Sequence, residues 1–233
     1  MELVIDIETV SEKRNFEELS ASMQAHWQHK AAFFKNVTET LTSDLNYLNK
    51  AAIYAEFGKI VCIGLGFIDK EGKKVRVKTL SDREEQKLLT DFCALLERLA
   101  QEHDGNIVFC GHNIREFDLP YICRRVLING LPLPETLQLS GMKPWQVPHI
   151  DTLELWKFGD YKHYISLDLM AEVLGVPSSK TDIDGSEVTR VYWEDDNLQR
   201  IAAYCSRDIF TTALVYLKLC AQPVDGFEPV FVS

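Results

Sequence analysis

The sequence predicts a single α/β domain in which helices cover a sheet. Three observations carry that expectation. Short β-rich apolar runs recur along the chain, stretches with helical spacing separate them, and no linker, repeat or low-complexity tract divides the 233 residues. At 46% hydrophobic and 10% aromatic, the chain has enough apolar surface to close one sizeable core.

Residues 3–8 read Leu-Val-Ile-Asp-Ile-Glu, apolar on both faces until the carboxylates begin, which predicts a central strand. Residues 11–50 look helical: Phe16, Leu19, Met23 and Trp27 recur at intervals of three and four, as do Leu41, Leu45 and Leu48. Residues 60–68 and 75–80 predict a hairpin around the polar turn 69–74. Residues 81–84, Ser-Asp-Arg-Glu, have capping-box spacing before a helix that carries Leu88, Leu89, Phe92, Leu95, Leu96 and Leu99 on one face. A buried strand is expected at 106–111, a helix over 117–129 stopped by Gly130, and a proline-rich loop over 131–148. A short strand at 149–151 follows. Helices then cover 166–174, ended by Gly175 and Pro177, and 194–220, before a tail that looks extended or loose.

The balance is acidic, with 25 Lys and Arg against 35 Asp and Glu. That argues against a protein that coats duplex nucleic acid, because such binding rests on phosphate neutralisation. It leaves room for an enzyme that holds a strand end in a cleft, where bound cations supply the positive charge. The six cysteines stand singly, with no CxxC pair or Cys/His cluster, so they read as small core residues in a reducing compartment. No apolar run reaches bilayer length and the N-terminus lacks a signal-peptide pattern, so a cytoplasmic protein is expected.

Three places carry chemistry. Asp6 and Glu8 leave the same face of their strand, about 6–7 Å apart along it. Two carboxylates on an apolar strand repel and lose hydration unless cations neutralise them, although an exposed strand end would explain them as well. Asp118 closes Gly-His-Asn-Ile-Arg-Glu-Phe-Asp at 111–118, after a strand and at the start of a helix, where open α/β sheets gather their sites. Simple helix capping by Asp118 or Asn113 is the competing explanation. Tyr204 and Asp208 stand four apart on the last helix, so phenol and carboxylate share one face; an ordinary amphipathic helix would also produce the pair.

Taken together, in this order and on these element types, Asp6-x-Glu8, Asn113-x-x-x-Phe117-Asp118 and Tyr204-x-x-x-Asp208 resemble the motifs of the DEDD exonuclease superfamily. The resemblance is to its tyrosine-bearing branch, closest to free-standing predicted 3′→5′ exonucleases related to the proofreading domain of family B DNA polymerases. Phe57-Gly58-Lys59-Ile60-Val61-Cys62-Ile63-Gly64, residues 166–175 and residues 180–185 are similar to further segments of that family. The likeness spans about residues 1–220, with 11–50 as a helical insertion and 221–233 as a C-terminal tail.

The resemblance implies a ribonuclease H-like mixed sheet flanked by helices, and hydrolysis of phosphodiester bonds from the 3′ end of single-stranded DNA. It implies two divalent cations, Mg²⁺ or Mn²⁺, about 3.5–4 Å apart. Asp6 would bridge them, Glu8 and Asp208 would complete one site and Asp118 the other. All-oxygen ligation suits these hard ions. Tyr204 would orient the attacking water, since a phenol with an ordinary pKa near ~10 is a poor base at neutral pH. Asn113 and Phe117 match positions that support the terminal nucleotide. Lys162 and His163, with Lys157, are candidate phosphate contacts, and Tyr161 or Tyr164 candidate stacking platforms, although an ordinary polar loop explains them equally. Asp151 reads as a support for the site or as an N-cap, and Phe33-Phe34 as core or channel lining.

With no polymerase module after residue 233, editing in trans, repair or end trimming is expected, alongside an unidentified polymerase or repair partner. Two other readings remain: a 3′→5′ exoribonuclease on the same chemistry, since the carboxylates do not distinguish sugars, and a catalytically silent nucleic-acid-binding module. The second predicts drift in a metal ligand or the tyrosine, and all five residues are present.

Overall fold

A computed structural model describes residues 1–34, 43–160, 164–179 and 182–232, with residues 43–46 in backbone only. Six strands form one mixed sheet: β1 (Glu2–Ser11), β2 (Gly58–Asp69), β3 (Lys74–Ser81), β4 (Val108–Gly111), β5 (Ile150–Asp151) and β6 (Glu228–Phe231), in spatial order β5-β4-β1-β2-β3-β6. The hairpin β2–β3 and the β1–β2 pair are antiparallel, whereas β1–β4, β4–β5 and β3–β6 are parallel. Helices α1 (Ala21–Ala31), α2 (Ser43–Lys50), α3 (Glu85–Glu102), α4 (Asp118–Ile128), α5 (Thr152–Lys157), α6 (Leu167–Leu174), α7 (Val188–Trp193) and α8 (Leu198–Leu219) surround it. This is the α/β, ribonuclease H-like architecture that the sequence predicts.

Alternation along β1 decides which face does what. Leu3, Ile5 and Ile7 join Ile63 and Leu65 of β2 in a core shared with Leu88, Leu89, Phe92 and Leu96 of α3 and Leu119 and Ile122 of α4. Val4 faces the other way, into a cluster with Ile209 and Ala213 of α8. The period of two therefore turns Asp6 and Glu8 toward α8 as well. Ile209 is fully buried, a contribution of about 1.5–3 kcal/mol for a side chain of that size.

Helix α8 lies close to the sheet where Gly64 and Gly66 of β2 present no side chain beneath it. A Cβ on Gly64 would stand 2.7 Å from the Ile209 Cγ1 and 2.8 Å from the Cys205 Sγ, and one on Gly66 only 2.6 Å from the Ile209 Cγ2. Gly64 pairs with Asp6 across β1–β2, so this close approach occurs beside the first carboxylate. On the opposite face, Arg125 of α4 grips Glu85 of α3 through Nε at 2.9 Å and 3.1 Å, and gives Nη1 to the Ala55 carbonyl at 2.8 Å. Glu85 also accepts the Ile60 N–H of β2 at 2.7 Å, so a buried ion pair ties both helices to the sheet.

Several expectations are corrected. Residues 81–84 form no capping box. Ser81 ends β3, Glu84 occupies the N-cap with no side-chain bond, and Asp82 accepts the Glu84 N–H at 2.9 Å. The C-terminal helix expected over 194–220 is α8, which begins four residues later, at Leu198. A separate short helix, α7, precedes it and stops at Trp193, whose indole donates to Ser11 Oγ at 3.0 Å; Asp196 then turns left-handed at φ +53° and Asn197 caps α8. Of the two forms expected for the tail, extended or loose, Glu228–Phe231 takes the extended one and pairs with Lys74–Val77 as an edge strand. In 11–50, Phe34 packs with Trp27 and Tyr54 while Phe33 is exposed. Leu41 lies outside the described residues, as does the Leu45 side chain.

Candidate metal centre and active site

Where β4 ends at Gly111, its pairing with β1 stops at Val4, and beyond that point β1 has no neighbour on this side. The Ile7 N–H on that open edge finds the Asp118 Oδ1 at 3.1 Å. Asp118 is thus not an N-cap. It is the first residue of α4, buried, and bonded across to the strand between Asp6 and Glu8. A bulge in the β1–β2 register directly after Glu8 bends the strand there, a common device beside functional sites.

From the other side, α8 brings Tyr204, Cys205 and Asp208. The Cys205 thiol lies 3.5 Å from Asp6 Oδ2, and one ligand atom each from Asp6, Glu8 and Cys205 fall within 4.8 Å of one another, a cluster able to coordinate a metal ion. Asp208 is within hydrogen-bonding reach of the Tyr204 phenol. Glu8, Asp118, Tyr204 and Asp208 are all buried and Asp6 is half-buried.

Such crowding has an electrostatic cost. Burial, then the charges of Asp208 and Asp118, push the Asp6 carboxyl well above the usual range. Burial, then Asp6 and Asp208, do the same to Glu8. Asp118 rises to about 7, mainly through burial, with its own amide and the Ile7 N–H pulling the other way. Tyr204 is pushed up by burial and by Asp208, Glu8 and Asp6, so the phenol keeps its proton at any ordinary pH. Glu8 accepts no hydrogen bond among the described residues. A buried, unpaired carboxylate amid other acids fits a site completed by cations, and its oxygen donors fit hard divalent ions.

Asp151 does more than cap. Its carboxylate accepts the Leu153 N–H at 3.0 Å as the N-cap of α5, and also the Asn113 N–H at 2.9 Å and the Arg115 N–H at 3.0 Å. It thereby fixes the turn that leads into Asp118, where Asn113 sits left-handed at φ +63°. His112, which the sequence reading passed over, straps this turn to the far wall. Its Nε2 donates to the Ile165 carbonyl at 2.9 Å, so in the neutral ring that burial favours, Nδ1 accepts from Thr152 Oγ1 at 3.0 Å.

A cleft of about 180 Å³ opens onto the cluster, lined by Asp6, His112, Tyr164, Asp168, Tyr204 and Asp208 together with Ser166, Leu167 and Ser179. Of the residues the sequence singled out, Asp6, Tyr204, Asp208 and Tyr164 meet here, with Glu8 and Asp118 directly behind. Asn113 and Phe117 do not line this cleft; Phe117 leans on the main core with its ring 5.4 Å from Tyr121. Lys157 is bound to Glu154 at 2.5 Å. Tyr161, Lys162 and His163 lie outside the described residues.

Fold and site define a nuclease-type α/β domain of the ribonuclease H-like kind. Residues 52–224 match a family described as "Predicted 3'-5' exonuclease related to the exonuclease domain of PolB", and the chain belongs to that family. The match begins after β1, so Asp6 and Glu8 enter through the structure rather than through the matched span. Among solved structures, the family B DNA polymerase from the hyperthermophilic archaeon Pyrobaculum calidifontis is similar in fold, with a TM-score of 0.55 at 18% identity. That likeness covers 93% of this chain and 24% of the polymerase chain. No curated protein matches in sequence. Among the described residues, no helix is long and apolar enough to cross a membrane.

Proposed function

We propose that this chain is a metal-dependent 3′→5′ exonuclease that shortens single-stranded DNA ends, working in trans editing or repair. The observation that carries the reading is the convergence of Asp6, Glu8, Asp118 and Asp208, from β1, α4 and α8, around a pocket whose dominant charges are all acidic. These four carboxylates would hold two divalent cations, Mg²⁺ or Mn²⁺. Cations bound there would supply the positive charge that phosphodiester hydrolysis needs.

The chain's own groups do the rest. Tyr204, kept protonated by burial and by the acids around it, donates a hydrogen bond and orients the attacking water without taking its proton. Tyr164, exposed on the cleft wall, offers a ring face to the terminal base. Asp151 and His112 hold the turn that aims Asp118, positioning without touching the scissile bond. The small cleft and the acidic surface favour an unpaired strand end over a duplex.

The test is incubation with single-stranded DNA and RNA of defined length, labelled at the 5′ end, with Mg²⁺, Mn²⁺ or EDTA. The expected result is a ladder of DNA shortened stepwise from the 3′ end, abolished by EDTA. Preferred shortening of RNA would move the assignment to an exoribonuclease, and inertness on both to a silent binding module.

A further inference from the structure

We propose that the groove between α4, α5 and the loop 139–147, rimmed by Trp145 and Lys143, binds the unpaired polynucleotide lying 5′ of the strand end. The groove and its chemistry stand apart from the carboxylate cluster; only the direction of the strand rests on the nuclease reading.

The groove has a volume of about 470 Å³ and a floor that includes Leu119, Pro120, Leu139 and Met142. A single turn of chain divides it from the catalytic cleft: His112 lines the cleft, and Arg115 of the same turn lines the groove. Helix α5 backs both, with Thr152 bonded to His112 at 3.0 Å and Glu154 and Lys157 facing the groove. A strand leaving the cleft over this turn meets the groove next.

Two observations favour a nucleic-acid strand over a protein segment as the occupant. The first is Trp145, which is 77% exposed yet stands on a fixed support. Residues Pro144–Gln146 form one 3-10 turn, in which Gln146 Oε1 accepts the Lys143 N–H at 2.9 Å. From beneath, the Arg115 guanidinium holds the Pro144 carbonyl and reaches the Val147 carbonyl at 3.4 Å. A rigid indole open to water is a face on which a base can stack. Phe158, 89% exposed and next to Lys157 of the groove wall, offers a second ring.

The second is charge. Lys157 is bonded to Glu154 and also lies in the field of Glu116, so the two acids of the groove already have a cation. Arg115 and Lys143 have no carboxylate partner among the described residues. Arg115 Nη2 meets neutral carbonyls, and Lys143 Nζ stands 5.2 Å from the Trp145 ring centroid. In a chain of formal charge −10, the cations Arg115, Lys143 and Lys157 here outnumber the acids Glu116 and Glu154. Backbone phosphates supply the anions that these two free cations lack. Ring faces accept any base and the cations meet only backbone, so the groove holds a strand without reading its sequence.

The experiment is fluorescence anisotropy of a 5′-labelled thymidylate strand of about twelve nucleotides, titrated with the full chain in EDTA so that nothing is cut. Trp145→Ala is expected to weaken binding about tenfold, whereas Trp145→Phe keeps most of the affinity because a phenyl ring still stacks. Lys143→Gln is expected to reduce the slope of log affinity against log salt by about 0.7, the loss of one phosphate contact on a single strand. Far-ultraviolet circular dichroism verifies that each variant is folded. No binding by the parent chain, equal affinity in Trp145→Ala, or a salt slope untouched by Lys143→Gln overturns the proposal and leaves the groove to a protein partner. A chain that binds the strand through Trp145 but cuts nothing with Mg²⁺ keeps the groove and loses the nuclease reading. One that cuts, with Trp145→Ala binding as tightly as its parent, does the reverse.

Discussion

Replacing Asp118 by Asn is expected to stabilise the metal-free protein at alkaline pH. The Asp118 carboxyl moves from an ordinary 3.8 in the unfolded chain to about 7 in the folded one, chiefly because burial disfavours its charge. The folded state therefore holds a proton that the unfolded state has lost, and stability falls as pH rises between those two values. Asparagine carries no such penalty, and its side-chain oxygen can still accept the Ile7 N–H. The advantage of the variant is near zero at about pH 4, grows by up to about 1.4 kcal/mol per pH unit, and levels off above about pH 7 at a ceiling of about 4 kcal/mol. Water entering the cleft lowers that ceiling. The assay is urea denaturation of both proteins in EDTA across this pH range. A wild-type stability that stays flat or rises with pH relative to Asp118→Asn would refute the electrostatic account. Mg²⁺ is expected to reverse the order, since a ligand at a hundredfold excess over its Kd adds about 2.7 kcal/mol to the protein that binds it.

Asp6→Asn is expected to abolish Mg²⁺-dependent DNA shortening with an unchanged far-ultraviolet circular dichroism spectrum; near-normal turnover would contradict the central place of this carboxylate. Gly64→Ala puts a methyl into the space of Ile209 and Cys205, and is expected to cost about 1–3 kcal/mol in urea unfolding while cleavage falls with the displaced helix. Arg125→Ala leaves Glu85 charged and buried, with an expected loss of about 3–5 kcal/mol by the same measurement.

What the sequence revealed depended on how local the cause was. A period of two along residues 3–8 was enough to put Asp6 and Glu8 on one face, and a spacing of four did the same for Tyr204 and Asp208. The partner of Asp118 was invisible, because it depends on β4 pairing ending at Val4, three residues short of Ile7, which no window around residue 118 records. His112 and Asp151 were undervalued for the same reason: their bonds reach across 40 and 38 positions. The misread capping box at 81–84 had the right letters. There, β3 claimed Ser81 for pairing with Cys62, and Arg125 claimed the next glutamate. The start of the last helix, expected at 194, comes at Leu198 because a left-handed Asp196 and the Asn197 cap set it there.

The order in which the chain emerges during synthesis gives the Cys205–Asp6 contact, 199 positions apart, a temporal meaning. Until α8 docks, the acids of β1 face an unfilled groove, and a nascent polypeptide carrying everything up to α6 lacks Tyr204 and Asp208. On the proposed nuclease reading, hydrolytic competence arrives only when α8 docks.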